Sequence, residues 1–196
     1  YAYVSDETIA IDARGEILPY PKPLSIIVPE QKHKQQVPSS AMGLKQLHQK
    51  PLHLGTMVIL ERGPLGTVGR IEPLPLAQAL TQICSQSSYL MELPHPLATV
   101  ARLMNFSGGF KRLIAGPIES LGALSNQLWE PIPADQWEQV LPDKEKYVHL
   151  APKVIDALDT DDGVVILTAD GQLHTLSPIA SEVWRCICDS KPIEDI

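Results

Sequence analysis

An α/β domain with a mixed sheet and flanking helices, joined to a small α+β module, is the architecture this 196-residue sequence predicts. Three observations carry the prediction. Short apolar runs of strand length alternate with segments of helical period as far as residue 130. The 18 prolines are spread along the whole chain, which favours many short elements over long helices. The composition then shifts: PIPADQWEQVLPDKE is rich in proline and acid. Residues 131–146 therefore read as a linker between a domain at 1–130 and a module at 147–196.

Composition narrows the function classes. With 44% apolar and 20% charged residues the chain is an ordinary globular protein, long enough to bury a core. Aromatic residues are only 5%, which argues against a stacking platform for single-stranded nucleic acid. The net charge of −7 argues against any phosphate-backbone partner. The three cysteines, Cys84, Cys186 and Cys188, are odd in number and show no zinc spacing, which fits a reduced, cytoplasmic setting. No apolar run is long enough to span a bilayer, so no membrane partner is expected.

The opening stretch, Tyr1 to Ser25, reads as a short strand at Tyr1–Val4 followed by Asp6 and Glu7, then a second run at Thr8–Ile11. Asp12-Ala13-Arg14-Gly15 is a turn, with Gly15 free to take positive φ. Three prolines among residues 19–23 keep the chain extended. Asp6 and Glu7 follow an apolar strand, and the carboxyl ends of strands are where open α/β sheets place ligands. Two readings stand: the pair solvates a turn, or it holds Mg²⁺ through water and accepts a proton.

Further along, Ile26–Pro29 is strand-like, Glu30–Ser40 is a polar loop in which His33 belongs to a solvated basic patch, and Ala41–Gln49 is a short helix with Leu44, Leu47 and His48 on one face. Leu52–Leu60 (LHLGTMVIL) is the clearest buried strand, ending at Glu61-Arg62. Gly63–Gly69 is glycine-rich but precedes a strand and lacks the Lys-Ser/Thr ending of a phosphate loop, so it is a turn. Leu76–Ser88 and Leu97–Phe106 are helices by their apolar spacing, each preceded by proline. Cys84 belongs to the core. Phe110–Ala115 is a strand, Ile118–Leu128 a third helix, and Trp129 and Trp137 pack across the linker.

In the last stretch, Asp159–Gly163 (DTDDG) is a hairpin turn, lacking the spaced ligands of a calcium loop. Val164–Thr168 and Gln172–Leu176 are its following strands. Ser177-Pro178 starts a helix as N-cap and N1, with Ile179, Val183, Trp184 and Ile187 as its apolar face.

Two resemblances attach to these residues. YAYVSDETIAID with PYPKPLS, and the strand ending LER, resemble the HPr-serine-kinase-like family, of the P-loop, phosphoenolpyruvate-carboxykinase type, over roughly residues 1–130. There a phosphate loop and its helix precede an apolar strand that ends in an acidic pair. The resemblance implies that Asp6 and Glu7 are catalytic, that Asp6 is also a metal ligand, and that Arg62 meets a phosphate. It implies ATP and Mg²⁺ as cofactors, given a phosphate loop upstream. No G-x-x-x-x-G-K-[ST] occurs in the sequence, and its expected place is before Tyr1. The chain is then either a piece of a longer protein or a relative without the phosphate cradle.

DDGVVILTADGQLHTLSPIASEVW resembles the PqqD-like family of peptide-recognition elements, over roughly residues 147–196. That family has a winged-helix-like arrangement of three strands and three helices, and a leader peptide adds a strand to the sheet edge. The resemblance implies that Gln172, Leu173, His174 and Thr175 bind peptide. Leu173 and Thr175 would face one side and His174 the other, and a proline at His174 would probe the edge if its N–H points outward. Asp156, Asp159, Asp161 and Asp162 would favour a basic leader. The third helix of that family has no counterpart before Ile196.

Together these imply an accessory or kinase-like protein of a ribosomal-peptide modification pathway, with a precursor peptide or partner protein as ligand. The alternatives are an active ATP-dependent serine or peptide kinase, and a non-catalytic binding scaffold.

Overall fold

The computed structural model describes residues 2–5, 8–27, 33–45, 47, 50–64, 66–116, 122–133, 135–143, 145 and 153–189. They combine helices with several sheets, as expected for a mixed α/β protein. No helix among them is long and apolar enough to cross a membrane. The chain divides into two compact units, Tyr1–Leu54 and Gly55–Ile196.

The first unit is built from short strands. β1 (Ala10–Ile11) and β2 (Glu16–Leu18) form a hairpin. β3 (Leu24–Ile27) and β4 (Lys34–Val37) form another, and β5 (Leu52–His53) adds to β2. The Asp12–Gly15 turn is as the sequence predicts. Asp12 Oδ1 accepts the N–H groups of Arg14 and Glu16, both at 2.8 Å, and Gly15 sits at φ 76°.

Three expectations change in this unit. Of the strand expected at Tyr1–Val4, Ala2 makes only an isolated bridge to Lys45. The polar stretch read as a loop contains β4, recruited by the backbone of its apolar partner β3 from Leu24↔Val37 to Ile27↔Lys34. The helix expected over Ala41–Gln49 is instead a 3₁₀ turn at Ser39–Met42, closed by Gly43 at φ 70°. His48 lies outside the described residues.

In the second unit, β6 (Met57–Arg62), β7 (Arg70–Pro73) and, after two helices, β8 (Phe110–Ala115) form a mixed sheet. β8 is central, parallel to β6 and antiparallel to β7. The single buried strand expected at Leu52–Leu60 is therefore two strands in two sheets, divided near Gly55. β6 lies at the edge of this sheet among the described residues, and its Leu60 is 58% exposed.

α1 (Leu76–Cys84) and α2 (Pro96–Ser107) follow the apolar spacing closely. Leu76, Ala79, Leu80, Leu97, Ala101 and Met104 are all buried. Gly108, left-handed at φ 63°, closes α2. Gly109 is required: it lies at φ 89°, and a Cβ there would come within 2.2 Å of Ile132. Of the third expected helix, residues 122–124 are helical and Gln127–Trp129 is a 3₁₀ turn.

A second sheet runs in the order β12-β11-β10-β9, all antiparallel: β9 (Trp137–Gln139), β10 (Val154–Thr160), β11 (Gly163–Thr168) and β12 (Leu173–Thr175). The β10–β11 loop is the two-residue Asp161-Asp162, flanked by the pair Thr160↔Gly163. α3 (Pro178–Cys188) follows, with Ser177 Oγ accepting the Ala180 N–H at 3.3 Å.

β11 is buried on both faces. Val165 and Leu167 join Leu158 and the residues of α1 and α2 in the main core. Val164 and Ile166 pack with Ala157 and Trp184 on the other side. Period-two alternation thus serves two cores at once. Residues expected in separate domains share one core, and the expected linker supplies β9, which pairs with β10 from Trp137↔Thr160 to Gln139↔Leu158.

Trp184 is buried as predicted, and its Nε1–H donates to Val140 O at 3.0 Å. Ile179 is not on the inner face of α3: it is 78% exposed. Ser181 takes that place, accepting the Val164 N–H at 3.2 Å. Trp137 packs on the main core, whereas Trp129 is 60% exposed.

Candidate functional site

β12 is the outermost strand of its sheet among the described residues. Which of its backbone groups face outward follows from the register. The pairs are Val165↔Thr175, Ile166↔His174 and Leu167↔Leu173. Just beyond them, Thr168 N–H donates to Gln172 O at 3.0 Å, and Leu176 N–H donates to Val164 O at 2.9 Å. An antiparallel ladder alternates bonded and non-bonded pairs. Ile166/His174 therefore shares the parity of the bonded pairs. The N–H and C=O of His174 turn inward to β11, and those of Leu173 and Thr175 turn outward to the open edge. A proline at His174 would break the internal ladder, so Thr175 is the position that probes the edge.

The side chains divide as expected. Leu173 packs on the main core beside Leu167, with Thr175 on the same face and exposed. His174 is exposed on the face toward α3, and Gln172 is exposed before the strand. The Thr168–Gly171 turn that delivers the chain to β12 is tight. Gly171 lies at φ 80°, and Thr168 Oγ1–H donates to Asp170 Oδ1 at 2.6 Å. That bond holds the Asp170 carboxyl below its ordinary range.

Beside this edge lies a cavity of about 520 Å³ between β12, the end of α1 and the turn at residues 89–92. Its floor is apolar, from Cys84, Leu90, Leu167 and Leu173, and its rim carries Thr81, Ser85, Ser87 and Tyr89. Glu92 is its one charged lining residue among those described. Cys84 belongs to the core as expected, and burial pushes its thiol up to about 12. No sequence motif marks this cavity. Its walls come from segments some 80 residues apart, and only the shared core brings them together.

The aspartates expected to attract a basic peptide are engaged within the fold. Asp156 is fully buried. It accepts the Ala98 N–H at 3.1 Å, the Ala157 N–H at 3.0 Å and the Gln139 side-chain amide at 2.6 Å. A carboxylate on Ala98 satisfies a free N–H of the first turn of α2 and complements the helix dipole. The Gln139 amide also meets His95 Nδ1 at 2.7 Å. Asp162 Oδ1 accepts the Ala77 N–H at 3.2 Å, and Asp135 accepts that of Leu76, so α1 is capped by two carboxylates from distant segments. Asp161 accepts the Gln136 N–H at 2.9 Å. Asp159 pairs bidentately with Arg185 at 2.6 and 2.9 Å, which raises the Arg185 pKa further.

Of the residues implied by the kinase-like resemblance, only Arg62 is described. Asp6 and Glu7 lie outside the described residues. Arg62 ends β6, in the second unit, and is exposed with no ion pair among the described residues. Its neighbour Glu61 pairs with Arg112 at 3.5 Å instead. The Gly63–Gly69 segment links β6 to β7, and two of its N–H groups are used locally: Gly63 to Ala115 O and Thr67 to Pro64 O. Among the described residues no group of three His, Cys, Asp or Glu side chains could hold a metal ion. Arg62 by itself carries no phosphoryl-transfer step.

No family model, curated protein or solved structure matches this chain.

Proposed function

We propose that the second unit binds a peptide segment by strand addition to β12, acting as an accessory protein to peptide modification in a reduced, cytoplasmic setting. The observation that carries this reading is the open edge, where the outward N–H and C=O groups of Leu173 and Thr175 form a template for another strand. Backbone bonding of this kind gives affinity, and alternate side chains give selectivity. The free thiols of Cys84, Cys186 and Cys188 agree with the reduced setting.

The test is fluorescence anisotropy with a fluorescein-labelled twelve-residue peptide of alternating apolar and polar residues. Wild type, Thr175→Pro and His174→Ala are compared after circular dichroism shows all three folded. Thr175→Pro removes one outward donor at an edge position that tolerates proline. We expect it to weaken binding by about tenfold, the scale of one well-formed hydrogen bond, with His174→Ala near wild type. Equal affinity for Thr175→Pro rejects strand addition at this edge.

A further inference from the structure

We infer that the 520 Å³ cavity beside β12 is a side-chain subsite for the added strand, selecting a peptide with a large apolar residue two positions from a basic one, on the same face of the strand. This rests on the strand-addition reading. It goes beyond it by naming which residue of the peptide is read, and by which part of the chain.

The geometry follows from the register. Leu173 turns its N–H and C=O outward, so the peptide residue opposite it forms the bonded pair. Side chains of directly opposed residues lie on the same face of a sheet. Leu173 and Leu167 point to the face that carries α1, so the opposing peptide residue projects there too. On that face, against Leu167 and Leu173, lies the cavity.

Its size is within the ~300–1,000 Å³ typical of ligand pockets. Its floor of Leu90, Leu167 and Leu173 suits an apolar anchor, and Met91 at the mouth offers a polarizable thioether to an aromatic ring. Glu92 supplies negative charge at the rim, with Asp170 adjoining Gly171, so a cation two positions along the peptide, on the same face, is favoured. Nothing in α3 lines this cavity. The walls come from α1 and the turn after it.

The experiment uses the full chain and five labelled peptides sharing one alternating host, Thr-Lys-Val-X-Val-Lys-Thr, with X as Gly, Asp, Leu, Phe or Trp. Binding is measured to wild type, Thr175→Pro, Ser85→Trp (which fills the cavity from its rim) and Glu92→Lys. We expect X as Phe or Trp to bind at least tenfold tighter than X as Gly. Ser85→Trp should abolish that preference. Glu92→Lys should weaken all the cationic peptides several-fold at low salt.

If the peptides bind through Thr175 but X makes no difference, the subsite is overturned and the edge reading survives. If no peptide binds, or Thr175→Pro changes nothing, both fall. Free N-acetyl-tryptophanamide binding as tightly as the Trp peptide would assign the cavity to a small ligand. A concentration-dependent dimer dissolved by Thr175→Pro would give the edge to a second copy. Either result overturns the proposal.

Discussion

The two units use similar residues to different effect. The first contains Ile9, Ile17, Leu24, Ile26 and Ile27, yet none of its described apolar side chains is buried. Every buried hydrophobic residue among those described lies between Leu74 and Trp184, in the second unit. The difference is one of layers. Strands of two to four residues offer narrow faces, and the described residues of the first unit include no α-helix to cover them. In the second, α1 and α2 cover one face of β10 and β11, and α3 covers the other. Apolar content does not make a core without a second layer to bury it against.

The sharpest way to break this comparison is to truncate one buried and one half-buried side chain. Trp184→Ala should destabilise the second unit by roughly 3–5 kcal/mol, the usual cost of a large-to-small core change. Ile26→Ala in the first unit should cost under about 1 kcal/mol. Urea unfolding followed by circular dichroism measures both. A loss below half a kcal/mol for Trp184→Ala would falsify the two-layer account of the second unit.

A somewhat smaller effect is expected at Asp156. Asp156→Ala leaves the Ala98 N–H without its acceptor and takes from the Gln139 amide one of its two partners, and should cost about 1–3 kcal/mol. Asp156→Asn retains an acceptor and should cost less. If the alanine variant is as stable as the asparagine one, the carboxylate does not tie β10 to α2.

Hydrogen exchange sharpens the comparison without mutation. Amides of β10 and β11 should exchange slowest, near the global unfolding limit, and those of β3 and β4 much faster. Comparable protection of the two hairpins would mean that the first unit is held by more than its own strands.

Much of this was legible in the sequence because its signals are local. The spacing of Leu76, Ala79, Leu80 and Leu97, Val100, Ala101 marked both helices. The Ser177-Pro178 cap and the Asp-Gly turn marked the last hairpin and helix. What escaped was non-local. β4 is polar and exists through its pairing with β3, and β9 sits in a segment whose prolines look like a linker. The buried Asp156 has the residue type of a surface turn, and its burial is explained by distant partners, the N-terminus of α2, 58 positions away in sequence, and the Gln139 amide. Of the candidate site, the edge at Leu173–Thr175 was readable, whereas the cavity was not, because its walls meet only through the fold.

The smallest predicted effect separates the units by sign. Asp135 caps α1 from a desolvated position beside Asp162 and Asp161, and burial raises its carboxyl above the ordinary value. A raised folded pKa means the folded state prefers the protonated acid. The associated stability is then fully present below the unfolded value near 3.8 and is lost as pH rises through the folded pKa. Asp12, in the first unit, is the opposite case. The Glu16 N–H bond lowers its carboxyl, so its contribution is present above about 3.8 and is lost as pH falls through the folded pKa. Asparagine keeps an acceptor oxygen at either position and removes the charge. At pH 7, Asp135→Asn should leave the second unit unchanged or more stable by about 0.5 kcal/mol, a gain limited by solvent screening. The gain should vanish near pH 3. Asp12→Asn should instead loosen the Asp12–Gly15 turn at pH 7, with the difference also vanishing at low pH. The three tryptophans, Trp129, Trp137 and Trp184, all lie in the second unit, so their fluorescence reads Asp135. Exchange of the Gly15 and Glu16 amides reads Asp12. If Asp135→Asn lowers stability at pH 7 and recovers it in acid, the carboxylate charge is a net gain at α1, and the two units follow the same rule.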